Sequence, residues 1–554
     1  MHDGQLDNAA LDTDVKVSGP ALSQDTLQLR PDVLVLGGGP AGTWAALTAA
    51  ASGARVVLAD KGYCGTSGAT APSGTGVWYI PPDEAAREEA RASREALGGY
   101  LADRRWMNRV LDRTYENIDR LAAWSYPFPV DEAGQQQRRS LQGPEYMRLM
   151  RKRVRGAGVT VLDHSPALEL LVDNGEVVGA SGVNRQTGVR WEAQAGAVVI
   201  ATGGCAFLSR ALGCNVLTGD GGLLAAEVGA EFSGMEFSNA YGLAPAFASV
   251  TKAAFYRFAT FYYEDGTPIP GAGSAHGRSV IAKTLLTQPV YACLDRATEE
   301  LRPALRAAQP NFFLPFDRRG IDPLTQHFPV TLRLEGTVRG TGGIRIVGDD
   351  CSTSVPGLFA AGDAATRELI CGGFTGGGSH NAAWAMSSGS WAGEGAYAYA
   401  KKLGAHANGR VGKPAGRATL RPDTDAHKLE PDAIVRAVQD EVFPLDRNWF
   451  RTETSLSGSL ERLQTLWQTV QARPDQNARD VVRAREAAAM VATARFMYAS
   501  ARARTETRGM HKRLDHPGQD TAQQQRLIVS DLERLHVRSE PQTTVTPPQL
   551  VAAA

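Results

Sequence analysis

An α/β fold is what this sequence predicts, and three observations carry the prediction. Short apolar runs at residues 33–36, 197–200 and 358–361 have the composition of strands buried on both faces. Glycines follow each of them, at Gly37, Gly203 and Gly362, so bare backbone meets one edge of a sheet. The alternation of strand and helix is interrupted once, between residues 231 and 340, and then resumes. A chain of 554 residues is too long for one hydrophobic core, so roughly two to four domains are expected.

Residues 1–30 are polar and aperiodic and are expected to form a disordered tail. Residues 32–60 carry the strongest signal. Strand 33–36 leads into Gly37-x-Gly39-x-x-Gly42, an Ala-rich helical run, a strand at 55–58 and then Asp60, eighteen residues after Gly42. The first glycine allows a tight turn, the second admits a pyrophosphate against the backbone, and the third lets helix pack on strand. The acid accepts a ribose hydroxyl. Such a glycine triplet alone is common in turns; all five parts in order predict a Rossmann-like dinucleotide-binding unit. Lys61 and the small-residue loop Thr66-Ser67-Gly68 follow, suited to lie against a cofactor.

Helical patterning covers 83–125 and 148–156, and a β-meander with an Asn174-Gly175 hairpin signal covers 159–180. Strand 197–200 ends in Ala201-Thr202-Gly203-Gly204, and Thr218-Gly219-Asp220 opens a helix. Residues 231–340, rich in aromatics and prolines, read as an inserted domain. The third strand ends at Asp363, before a glycine-dense turn through Ser379-His380-Asn381 and a helix to 399. Residues 403–431 are linker-like, helices are expected at 432–442, 457–473 and 478–504, and the end after 540 reads as a tail.

Composition narrows the functional classes. Lys+Arg and Asp+Glu both number 59, so no basic field is available to hold nucleic acid. No apolar run approaches a membrane span, and the amino-terminal stretch has no secretory pattern. Six cysteines without a CxxC pair predict no metal or iron–sulfur site and a reduced, cytoplasmic setting.

Together these landmarks resemble the succinate dehydrogenase/fumarate reductase flavoprotein family, which also holds aspartate oxidases and the adenylylsulfate reductase flavoprotein. They are the Gly37 motif, ATGG at 201–204, TGDG at 218–221, Met235-Glu236-Phe237, Gly342-Gly343-Ile344, GLFAAGD at 357–363, and Arg504-Thr505-Glu506-Thr507-Arg508 with His511, Arg513 and Asp515. The resemblance implies a FAD-binding domain in two segments (31–230 and 343–402), a capping domain at 231–342, and a helical C-terminal domain within 403–540. It implies FAD contacts at Gly37, Gly39, Gly42, Asp60, Lys61, Thr66, Ser67, Gly68, Ala201, Asp220, Asp363, Ser379 and Asn381.

The departures from that pattern are informative. Membrane-bound members attach FAD through a Ser-His-Thr histidine; Cys64-Gly65-Thr66 puts glycine there, so FAD is expected to be non-covalent. The His-Pro-Thr of fumarate and succinate enzymes is Ser238-Asn239-Ala240-Tyr241 here. Their histidine before Gly-Gly-Ile is replaced near Val338, and their late-loop arginine falls near Gly376. Each lost charge-assisted hydrogen bond is worth about 1.5–3 kcal/mol, which disfavours succinate and fumarate.

Arg278 survives, aligned with the family's proton-donating arginine, although Ser279 replaces the usual Asp. It is expected to act as proton donor or anion clamp, with Arg339, Arg257 and His380 as further candidates and Cys64 and Cys371 as inert thiols. The expectation is a FAD-dependent oxidoreductase with a small anionic substrate. One alternative is an adenylylsulfate-reductase-like subunit with a separate iron–sulfur or ferredoxin partner. The other is an electron-transfer or assembly subunit with no substrate pocket, marked by an apolar space without convergent arginines.

Overall fold

The computed structural model describes residues 19–131, 133–251, 254–275, 277–375, 377–404, 409–421, 430–470 and 477–540. At its centre lies a parallel five-stranded sheet. Its order is Leu358–Ala360, Ala197–Ile200, Val33–Leu36, Val56–Ala59 and Thr160–Leu162. Val35 pairs with Val199 on one side and Leu58 on the other. Helices cover both faces of such a sheet, which is why these strands are apolar at every position rather than at alternate ones.

Helix Pro40–Ala51 packs along helix Gly377–Leu403, and both lie against this sheet. Their backbones touch because the second helix carries Gly389 and Gly393. A Cβ at those positions would stand 2.3 Å from the Ala41 carbonyl oxygen and 2.2 Å from that of Ala45. The contact brings the amino-terminal turns of two helices to the carboxyl edge of one sheet.

Beside this core is the expected meander, Ala167–Asp173, Glu176–Val183 and Arg190–Gln194, turned at Asn174 and Gly175 with positive φ. The stretch expected to be a disordered tail contributes to it. Residues Thr26–Leu29 form a strand parallel to Arg190–Gln194, because open edge groups there accept another ladder. Residues 1–18 and the end after 540 lie outside the described residues.

The inserted segment folds around its own antiparallel sheet, ordered Ala240–Pro245, Phe328–Glu335, Val290–Cys293 and Thr260–Tyr262. Phe255, Phe312, Phe316 and Phe328 fill a separate core beneath it. Phe232 pairs with Ile344 and Val529, which ties residues 232–233 to the main body.

The C-terminal region has helices Pro431–Val442, Glu453–Thr469 and Ala478–Ala503, but it is not wholly helical. Strands Arg526–Ser530 and His536–Glu540 form a hairpin that joins Phe232–Ser233 and Gly343–Ile344 in a further sheet. Among the described residues no helix is long and apolar enough to cross a membrane.

Candidate active site

The glycine motif builds a cradle by leaving some positions filled and one open. A Cβ on Gly42 would stand 1.8 Å from the Gly37 carbonyl oxygen, and Gly37 itself has φ of 109°. Those two glycines let strand and helix meet. Gly39, the N-cap of helix Pro40–Ala51, has no side-chain cap, and a Cβ there would meet nothing within 4 Å. The helix N-terminus therefore faces free space with its backbone donors unspent, an arrangement that suits a diphosphate.

That space is a cavity of about 550 Å³. Gly37, Gly39, Asp60, Lys61, Ser67, Gly68, Ala201, Asp220, Asp363 and Asn381 line its nucleotide side. The same cavity runs under the inserted segment, where Leu243, Thr251, Phe255, Tyr256, Arg278 and Arg339 line it. The cradle suits a dinucleotide, and the cavity continues from it to the two arginines of the inserted segment.

The polar groups on the nucleotide side are held by their neighbours. Asp60 Oδ2 accepts the Gly38 N–H at 2.6 Å, and Oδ1 accepts from Gly62 N–H and the Ser67 hydroxyl, both at 2.8 Å. The acid at the strand end thus shapes the turn as well as facing the cavity. Lys61 Nζ lies 2.7 Å from Asp220 and 2.8 Å from Glu486 on helix Ala478–Ala503. Burial works against its charge, but the two carboxylates outweigh burial and hold its pKa above the ordinary value. Lys61 is a tie between the cavity wall and the C-terminal region, not a free cation.

Asp363 pairs with the buried Arg367 at 2.5 Å. Arg367 Nη2 also donates to the carbonyls of Thr337, Val338 and Gly340, while Asn381 Nδ2 donates to Val338 at 3.0 Å. The turn that carries Arg339 is therefore fastened from the cofactor side.

Two arginines meet the cavity from the cap. Arg278 opens helix Arg278–Thr284, and among the described residues its guanidinium donates to carbonyls alone, Ser274 at 2.8 Å and Tyr241 at 3.3 Å. Burial, and then the charge of Arg339, draw its pKa below the ordinary value. Arg339 Nη1 is 3.1 Å from Oε2 of Glu335, a fully buried acid whose Oε1 accepts from the Thr251 hydroxyl at 2.8 Å. Nothing in the sequence reading singled out Glu335, Thr251, Tyr256 or Arg367. Glu335 stands four residues before Arg339, a spacing that marks a partner when both lie on one helical turn.

Some expected residues stand elsewhere. Thr66 is exposed, its hydroxyl turned to the Tyr63 carbonyl at 3.3 Å, and it does not line the cavity. Ser379 and His380 are also absent from the lining. His380 is buried, packs on Trp78 with ring centroids 4.4 Å apart, and has Nδ1 at 3.1 Å from the Ser379 hydroxyl. The reason is helical: Asn381 and Ala385, four apart, face the cavity, and the residues just before them face another way. Arg257 is exposed and lies over Phe258. Gly376 and His276 fall outside the described residues. Burial pushes the Cys64 thiol up to about 12 and the Cys371 thiol up to about 11, so both stay protonated.

The run standing where fumarate and succinate enzymes carry His-Pro-Thr is used for structure. Asn239 donates to the carbonyls of Asn448 and Met510, and the Tyr241 hydroxyl donates to that of Val442 at 2.8 Å. None of residues 238–241 lines the cavity.

Comparison with known proteins agrees with this geometry. A FAD binding domain model matches residues 32–241, and a fumarate reductase flavoprotein C-terminal model matches residues 442–548. The chain is 26% identical to the L-aspartate oxidase of Streptomyces coelicolor, over 90% of this chain and 91% of that protein. It is 24% identical to the fumarate reductase flavoprotein subunit of Mycobacterium tuberculosis, over 88% of this chain and 92% of the other. In fold it is similar to E. coli quinol fumarate reductase, with a TM-score of 0.78 at 20% identity, covering 94% of this chain and 98% of that one. The two matched models and the relatives that run along nine-tenths of the chain make this a FAD-dependent oxidoreductase, similar throughout to the succinate dehydrogenase/fumarate reductase flavoproteins.

Proposed function

We propose that the protein oxidises or reduces a small anionic substrate other than succinate or fumarate, held by Arg278 and Arg339 at the cap end of the cofactor cavity. The observation that carries this reading is the continuity of the cavity, with the glycine cradle at one end and two arginines at the other. A subunit without a substrate would not need guanidinium groups there. The names of the relatives, L-aspartate oxidase and fumarate reductase, both specify small carboxylates, in keeping with an anion.

Bound FAD supplies hydride transfer. The chain supplies the rest. Gly39 and the helix N-terminus receive the diphosphate, and Asp363 and Asn381 face the same space. Arg278 and Arg339 bind and orient the anionic group, and the cap excludes water, which strengthens both charges. Among the described residues no carboxylate lies within ion-pair distance of Arg278, so none is placed to return a proton lost from its guanidinium. Its role is that of a clamp. Gly65 offers no nucleophile, so FAD is held without a covalent bond, and acid precipitation should release it into the supernatant.

The direct test is reoxidation of the reduced holoprotein by a panel of small anionic acceptors, followed by recovery of flavin absorbance. One or more acceptors should turn over at about 1–10³ per second, with fumarate negligible. Turnover of fumarate at such rates, or no response to any anion, would overturn the reading.

A further inference from the structure

Charge at the cap end of the cavity does not add up to what a dianion requires. Arg278 and Arg339 line that end, and Glu335 stands directly behind Arg339. Glu335 has no exposed surface, and its place is prepared. Gly242 lies opposite, where a Cβ would stand 2.9 Å from Glu335 Oε2, and Thr251 donates to the other oxygen. Buried this way, an acid is retained only where a cation answers it. Arg339 is that cation, whereas Arg278 has, among the described residues, carbonyl partners and no ion pair. Among the described residues the cap end therefore carries two positive charges and one negative. On the cofactor side, Asp363 is balanced by Arg367, and Lys61 is engaged by Asp220 and Glu486.

We propose that Glu335 is the specificity-determining residue of this site. By neutralising Arg339 it leaves a single surplus positive charge, which selects a monoanionic substrate, such as a monocarboxylate with an uncharged body, over a dicarboxylate. The inference rests on the anionic-substrate reading above and deepens it. A monoanion brings the cap end to neutrality. A dianion leaves one buried negative charge unanswered, a costly state in a water-poor cavity. The uncharged body would lie against Leu243, Phe255 and Val338, which also line the cavity.

The test uses isosteric pairs, crotonate against fumarate and butyrate against succinate, titrated into the oxidised holoprotein with the flavin spectrum as readout. In the wild type the monoanion of each pair should bind at least about tenfold more tightly. Glu335→Gln raises the surplus to two charges and should reverse the order. The double variant Glu335→Gln/Arg339→Gln returns it to one and should restore the monoanion preference, which guards against a folding defect in the single variant. A wild-type preference for the dianion, or an order unchanged across the three proteins, overturns the inference but leaves the anion site standing. If no carboxylate perturbs the flavin, both the inference and the anionic-substrate reading fail.

Discussion

Two of the arginine–glutamate clusters among the described residues are built in opposite ways. Near the C-terminus, Arg504 donates from Nε to Glu236, from Nη1 to Glu506 and Gln523, and from Nη2 to Gln525. Arg508 is likewise held by Glu506 and by the carbonyls of Gly99 and Asp520. Both are almost wholly buried, and neither lines the cavity. Under the cap, among the described residues, Arg278 has carbonyl partners, Arg339 has one acid, and both face the cavity. The first cluster has spent its donors on the fold. The second has kept charge in reserve. Arginine beside glutamate does not by itself mark a site; the ratio of donors to partners does.

The largest effect that would break this contrast lies in the saturated cluster. Arg504→Ala leaves Glu236 buried without its cation, while Glu506 keeps Arg508, and should cost about 3–5 kcal/mol of stability, read from urea unfolding of the holoprotein. A loss below about 1 kcal/mol, the scale of an exposed pair, would mean that the cluster is not structural.

A smaller effect sharpens the comparison through pH. Burial, and then the charge of Glu236, raise Glu368 from an ordinary 4.5 to about 8. The folded state thus holds a proton that the unfolded chain releases, and stability should fall as pH rises from about 4.5 to about 8. Glu368→Gln imitates the protonated acid and should flatten that fall. An unchanged slope would assign the pH dependence to another group.

The sequence was most legible where function constrains backbone. Gly37, Gly39 and Gly42 could be assigned separate tasks from spacing alone, and the apolar runs gave the buried strands. It was least legible between residues 231 and 340, where Glu335 ends one strand and Arg339 ends the single helical turn after it. Neither period marks such a pair, and the acid's role depends on the absent Cβ of Gly242, far away in sequence. The RTETR motif was visible as a family landmark, but its residue types do not tell a strut from a clamp. That distinction rests on Glu236, Gln523 and Gln525, which only the fold brings to Arg504. Nor does the sequence say which face of a helical turn carries Ser379 and His380, or which way the Thr66 hydroxyl points in its loop.

In the function proposed above, the arginine kept in reserve, Arg278, holds the substrate rather than the fold. The most direct measurement compares wild type and Arg278→Ala for flavin content, unfolding midpoint and reoxidation rate with the best anionic acceptor from the panel. Flavin content and midpoint should be unchanged and the rate lower by about 10²–10³, the scale of removing one preorganised donor. Arg278→Lys should recover binding better than rate, because an ammonium keeps the charge but not the planar fork. A wild-type rate in the alanine variant, or a loss of rate only in step with lost flavin and stability, would contradict it.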